Sequence, residues 1–130
     1  MDRLKRSQEW LKQAKYDIES ANVMMKGGRY IYCVFMCHLA IEKVLKALYV
    51  KVLNENPPKI HSLVYLAQRI KIELPLEIKD FLESLNELSI PTRYPEELNK
   101  LLKEYGKNRT CNIFIKSKEA LRCLEKELKK

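Results

Sequence analysis

Residues 30–53 read YIYCVFMCHLAIEKVLKALYVKVL. From Tyr30 to Leu53 the chain is apolar at helical period almost all the way round. Only His38, Glu42, Lys43 and Lys46 interrupt its first five turns. A helix on the surface of a globule carries one apolar stripe, whereas a helix apolar on most sides has to be enclosed by neighbours. This segment is therefore expected to be the central post of an α-helical bundle, with the flanking sequence packed round it as further helices.

Upstream, Arg3 to Met25 carries Leu4, Leu11, Ala14, Ile18, Ala21 and Met25 at spacings of seven, three and four, the narrow seam of a bundle helix. Lys26-Gly27-Gly28 ends it, because glycine tolerates the left-handed cap and the tight reversal. The central helix then runs to about Asn54. Downstream, Asn56-Pro57-Pro58-Lys59-Ile60-His61 is a stiff connector that no helix crosses. Ser62 caps a short helix from Leu63 to about Ile72, and Pro75 opens a fourth, where a missing N–H costs little. Ile78, Phe81, Leu82, Leu85 and Leu88 make that fourth helix amphipathic, and Pro91 is expected to stop it.

Thr92-Arg93-Tyr94-Pro95 reads as a second connector, and Glu96 to Tyr105 as a helical turn or two broken at Gly106. The last helix spans about Asn108 to Leu128, turning Cys111, Phe114, Leu121, Leu124 and Leu128 inward. The expected fold is all-α: an up-and-down four-helix bundle with an additional short helix, forming one domain over residues 1–130. Short connections make successive helices antiparallel. The Pro57-Pro58 loop and the Arg93-Tyr94-Pro95 loop should then lie at one end of the bundle, which gathers Lys59, His61, Arg93 and Tyr94.

A length of 130 residues is enough to bury a core without metal or disulfide staples. The net charge of +8 is divided as +5 over residues 1–65 and +3 over residues 66–130, and is interleaved with Glu throughout. That pattern reads as a solvated surface, with a weak, salt-sensitive attraction to polyanions as its functional alternative. The four cysteines, Cys33, Cys37, Cys111 and Cys123, show no zinc spacing, so no metal or cofactor is expected and the thiols read as small core hydrophobes. The polar start MDRLKRSQEW and apolar runs far short of the about 20 residues a bilayer needs point to a cytoplasmic protein without membrane contact.

Two groups of residues carry chemistry. His38, Glu42 and Lys46 recur every four residues as one polar ridge on the apolar helix, with Lys43 beside it. The ridge can line a groove for an anionic ligand or a partner helix; equally, Glu42 and Lys46 can pair internally while His38 is hydrogen-bonded in the bundle. Lys59, His61, Arg93 and Tyr94 offer cationic or titratable groups and an aromatic ring, where Arg suits phosphate and Tyr suits stacking on a base. In the plainer reading, the prolines shape the loops and Tyr94 packs on the bundle.

Trp10, Ala14 and Asp17, then Cys37-His38-Leu39-Ala40-Ile41-Glu42-Lys43-Val44-Leu45-Lys46-Ala47-Leu48, then Pro57-Pro58-Lys59-Ile60-His61-Ser62-Leu63, then Arg93-Tyr94-Pro95 together resemble the HEPN domain. The resemblance spans nearly the whole chain. It implies an up-and-down bundle similar to the substrate-binding domain of kanamycin nucleotidyltransferase, a tendency to dimerise, and a minimal nucleotidyltransferase as partner in a toxin–antitoxin-like two-gene system.

Many HEPN proteins cleave RNA without metal, using an Arg followed by four to six residues and then His. Here the positions five to seven residues before His38 are Cys33, Tyr32 and Ile31, and those before His61 are Asn56, Glu55 and Asn54. Arg109 is followed by no histidine. No catalytic residue is therefore assigned. The expected function is a non-catalytic HEPN-type binding module for a nucleotide or other substrate. The alternative is an RNA-binding or ribonuclease toxin working from a different site, such as His61 with Arg93. Trp10, Tyr105, Ile113 and Ile115 fall off the core seams and are read as part of a homodimer interface.

Overall fold

A computed structural model describes residues 2–130. Among these residues six helices follow one another: α1 (Arg3–Lys26), α2 (Tyr30–Leu53), α3 (Leu63–Ile70), α4 (Leu76–Arg93), α5 (Leu98–Glu104) and α6 (Lys107–Leu128). Among the described residues there is no strand. The centre is α2, which packs against each of the other five helices and buries fifteen of its twenty-four residues. Its apolar circumference is covered by Ala14 and Ala21 of α1, Leu66 of α3, Leu82 and Leu85 of α4, and Leu121 and Leu124 of α6, all buried.

Local chemistry sets the ends. Asp2 accepts from Lys5 N–H at 2.8 Å to cap α1, and Ser62 accepts from Tyr65 N–H at 3.1 Å to cap α3. Gly28 takes φ +73° in the α1–α2 reversal, a conformation that side chains resist. At the opposite end, Lys51 Nζ donates to the carbonyls of Leu128 and Lys130, tying α2 to the last turn of α6.

Four sequence expectations need correction. First, α4 passes through Pro91 and ends at Arg93, so Arg93 belongs to a helix rather than a connector. A proline in the last turn forfeits one N–H bond, and there the Ser89 and Thr92 hydroxyls back-bond to the carbonyls of Asn86 and Ser89. Second, α3 does not reverse direction after α2. His61, just before α3, meets Glu42, whereas Arg69 near its end meets Glu55 and lies over Tyr49. Residues 54–62 thus double back along α2, and α3 runs parallel to it. Returning from position 54 to 42 covers about 18 Å of helix, which eight extended residues span with room to spare at about 26 Å.

Third, the seam of α1 begins at Ser7, whose buried hydroxyl donates to Ala47 O at 3.0 Å, while Leu4 is exposed. Fourth, the residues read as an outer patch are mostly internal. Tyr105 and Ile113 are buried, Trp10 is half-buried, and only Ile115 is exposed. Tyr105 also donates its hydroxyl to Leu88 O at 2.6 Å.

Candidate functional site

Because α2 is enclosed, its polar ridge has to be satisfied by neighbouring elements. Glu42 lies at the centre, 4% exposed. One turn on, Lys46 Nζ donates to Glu42 Oε2 at 3.0 Å and sits 5.5 Å from the centre of the Trp10 ring on α1. From the connector before α3, His61 Nδ1 lies 3.0 Å from Glu42 Oε1. From the last turn of α4, Arg93 reaches back over the Phe35 ring at 4.7 Å and donates to His38 Nδ1 at 2.8 Å, with the same NH2 3.8 Å from Glu42 Oε1. Four elements thus converge on one buried carboxylate.

The two imidazoles differ in environment. His38 is 2% exposed, and burial pushes its pKa down to about 4; the Arg93 guanidinium adds to this and Glu42 partly opposes it. His38 is therefore neutral at pH 7, with Nδ1 accepting from Arg93 and the proton on Nε2. His61, by contrast, has a side chain 63% exposed. It forms one wall of a cleft of about 270 Å³ with Ser62, Asn86, Ser89, Ile90, Arg93 and Tyr94, and His38 at the base. Asn86 Oδ1 accepts from Leu63 N–H at 2.9 Å and so locks the start of α3 against α4. One carboxylate faces two permanent cations here, Lys46 and Arg93, so the cluster keeps a positive excess suited to an anion.

Of the residues singled out from sequence, His38, Glu42, Lys46, His61 and Arg93 form this cluster, at the middle of α2 rather than at an end of the bundle. Tyr94 stands on the rim, 80% exposed. Two residues lie elsewhere. Lys43 turns to α1 and pairs with Asp17 at 2.8 Å, since i+1 from Glu42 faces another side of the helix. Lys59 is exposed and does not line the cleft.

The spacing does not point to Phe35, Asn86 or Ser89 as site residues, and it marks Ser62 only as a helix cap. Phe35 sits three residues before His38 and shares its face, a signal that was readable; the α4 residues depend on tertiary packing. Cys33 and Cys37 are fully buried on another side of α2, and the hydrogen bond to Cys37 together with burial holds the Cys33 thiol protonated.

The HEPN domain profile matches residues 7–128. The chain belongs to the HEPN domain family. Its fold is shared with solved structures, among them the following two. TT1696 from Thermus thermophilus superposes with a TM-score of 0.81 at 22% identity, covering 93% of this chain and 97% of the other. An archaeal HEPN homologue, ST0689, gives 0.74 at 22% identity, covering 95% and 98%. No curated protein matches the sequence significantly. Within this HEPN bundle, arginine and histidine meet through packing of distant segments, since no Arg-to-His motif is present in the chain. Among the described residues, no helix is long and apolar enough to cross a membrane, and no group of three His, Cys, Asp or Glu side chains is placed to hold a metal ion.

Proposed function

We propose that this HEPN domain is a binding module that holds a phosphate-bearing ligand, most simply a nucleotide, in the cleft between His61 and Arg93, and that it performs no chemistry on it. The observation that carries the reading is the guanidinium of Arg93 fixed at the cleft by His38 and Phe35 beside an exposed imidazole. Arginine offers a planar fork to phosphate, and each charge-assisted bond contributes about 1.5–3 kcal/mol. Tyr94 on the rim supplies a ring on which a base can stack.

Binding is favoured over catalysis because phosphodiester cleavage without metal draws on both a general base and a general acid. Only His61 brings an exposed imidazole to the cleft; His38 is buried and engaged by Arg93. Following the family resemblance, the domain acts beside a separate minimal nucleotidyltransferase in a toxin–antitoxin-like pair. Co-expression with a nucleotidyltransferase encoded next to it, followed by size-exclusion chromatography, tests this. A stable complex is expected, and two independent peaks contradict it.

One observation favours a second reading, an RNA-cleaving site. The Glu42–His61 contact resembles the carboxylate–imidazole arrangement that orients a general base. Incubation with tRNA and single-stranded RNA separates the two. The binding-module reading expects no cleavage, whereas cleavage lost in His61→Ala establishes the second.

A further inference from the structure

Glu42 spends both carboxylate oxygens inside the protein, on Lys46 Nζ through Oε2 and on His61 Nδ1 through Oε1, each at 3.0 Å. A carboxylate only accepts, so in the neutral His61 ring the proton sits on Nδ1 and the lone pair on Nε2. The ring's inner edge is taken by Glu42, while its side chain is 63% exposed toward the cleft. Nε2 is thus the atom that meets whatever enters. A neutral ring turns a lone pair toward a phosphate oxygen and repels it; the ring donates there only after Nε2 gains a proton.

We propose that Glu42 is a positioning residue for His61, holding Nδ1 inward so that Nε2 alone serves the cleft, and that an anion binds there with uptake of one proton at Nε2. The second half rests on the phosphate-binding reading; the first does not. Glu42 bonds the His61 ring, and the other charged or titratable groups gathered on that carboxylate are His38 and Lys46 from α2 and Arg93 from α4. The only other imidazole among them, His38, is buried and stays neutral above about pH 4. Proton uptake on anion binding is therefore assigned to the exposed ring, His61.

Glu42→Gln makes an unusual prediction. A glutamine has one acceptor oxygen for two donors, and the charged Lys46 takes it. The amide N–H then faces His61 Nδ1, which has to accept, so the neutral ring carries its proton on Nε2. The tautomer inverts, and His61 donates to the cleft without an added proton.

Long-range proton–nitrogen NMR of the histidine rings reads the tautomer directly. The wild type is expected to show Nδ1–H for His61 and the Gln variant Nε2–H. A wild-type Nε2–H tautomer overturns the role of Glu42, and this measurement decides it even if the variant fails to fold. Sulfate, a dianion at every pH used, is then titrated by calorimetry between about pH 6 and 8. Wild-type affinity is expected to fall as pH rises, by up to about tenfold per unit for one proton, and the Gln variant to lose that dependence. Sulfate affinity independent of pH in the wild type overturns proton uptake but leaves the phosphate-binding reading standing. Absence of sulfate binding at any pH overturns both of these, with the tautomer still deciding the role of Glu42.

Discussion

The guanidinium of Arg93 donates to Nδ1 of His38 across 2.8 Å, joining the last turn of α4 to the middle of α2. The contact exists because α4 continues two residues past Pro91. Burial, with this guanidinium adding to it, holds the histidine neutral, which gives the fold a pH dependence with a definite sign. An unfolded chain takes a proton on this imidazole near its ordinary value of 6.5, whereas the folded protein takes it only near 4. Between those limits the unfolded state binds more protons, so stability falls as pH drops from 6.5 toward 4 and levels off below.

The shift corresponds to about 3 kcal/mol. Urea unfolding at neutral pH and near pH 4 should show a loss of that order in the wild type. His38→Gln should be less stable at neutral pH and should have lost most of the dependence. Equal slopes in the two proteins would remove His38 from the explanation.

Glu42 and Lys46 form a buried ion pair, with side chains 5% and 8% exposed. Removing one partner strands the other charge, so Glu42→Ala should cost about 3–5 kcal/mol. The double change Glu42→Leu with Lys46→Met removes both charges at similar volume and should recover most of that loss. Denaturant midpoints with unchanged m-values check this. A double variant as unstable as Glu42→Ala would show that the pair itself, and not its imbalance, supports the core.

Arg93 packs on Phe35 and lines the cleft. Lysine keeps the charge but lacks the planar face that stacks on Phe35 and the fork that grips two oxygens side by side. Arg93→Lys should cost only about 1 kcal/mol of stability while weakening phosphate binding about tenfold or more. Calorimetry beside thermal unfolding separates the two effects, and a variant that binds as tightly as wild type would place the anion elsewhere.

Much of the fold was legible because the signal was strong. The enclosed character of Tyr30–Leu53 located α2 to within one residue of its observed end, and Gly28 and Ser62 marked their boundaries. What misled was the use of prolines as stops. Pro91 sits in a final turn, where the lost bond is one among several, and Pro57-Pro58 begins an extended return path rather than a reversal. The ridge at 38, 42 and 46 was visible from spacing alone. Its partners were not, since Asn86, Ser89 and Arg93 reach it only through the packing of α4, and Lys43 was grouped with the ridge although i+1 faces away.

Once Tyr105 and Ile113 are placed in the core, Tyr32 on α2 and Ile115 on α6 remain among the exposed apolar side chains. A homodimer joined through the central and final helices is expected. Light scattering at micromolar concentration should give about twice the 15.4 kDa chain mass. Ile115→Glu should shift the species toward monomer, and a monomeric wild type would contradict the expectation.

The most direct test of the binding-module account is an amide NMR titration of the intact chain with adenosine 5′-monophosphate. The account predicts saturable shifts confined to residues 61–64, 86–90 and 93–94, lost in Arg93→Met while the rest of the spectrum is preserved. No shifts at millimolar nucleotide, or shifts that map to α1 and α6 instead, would contradict it.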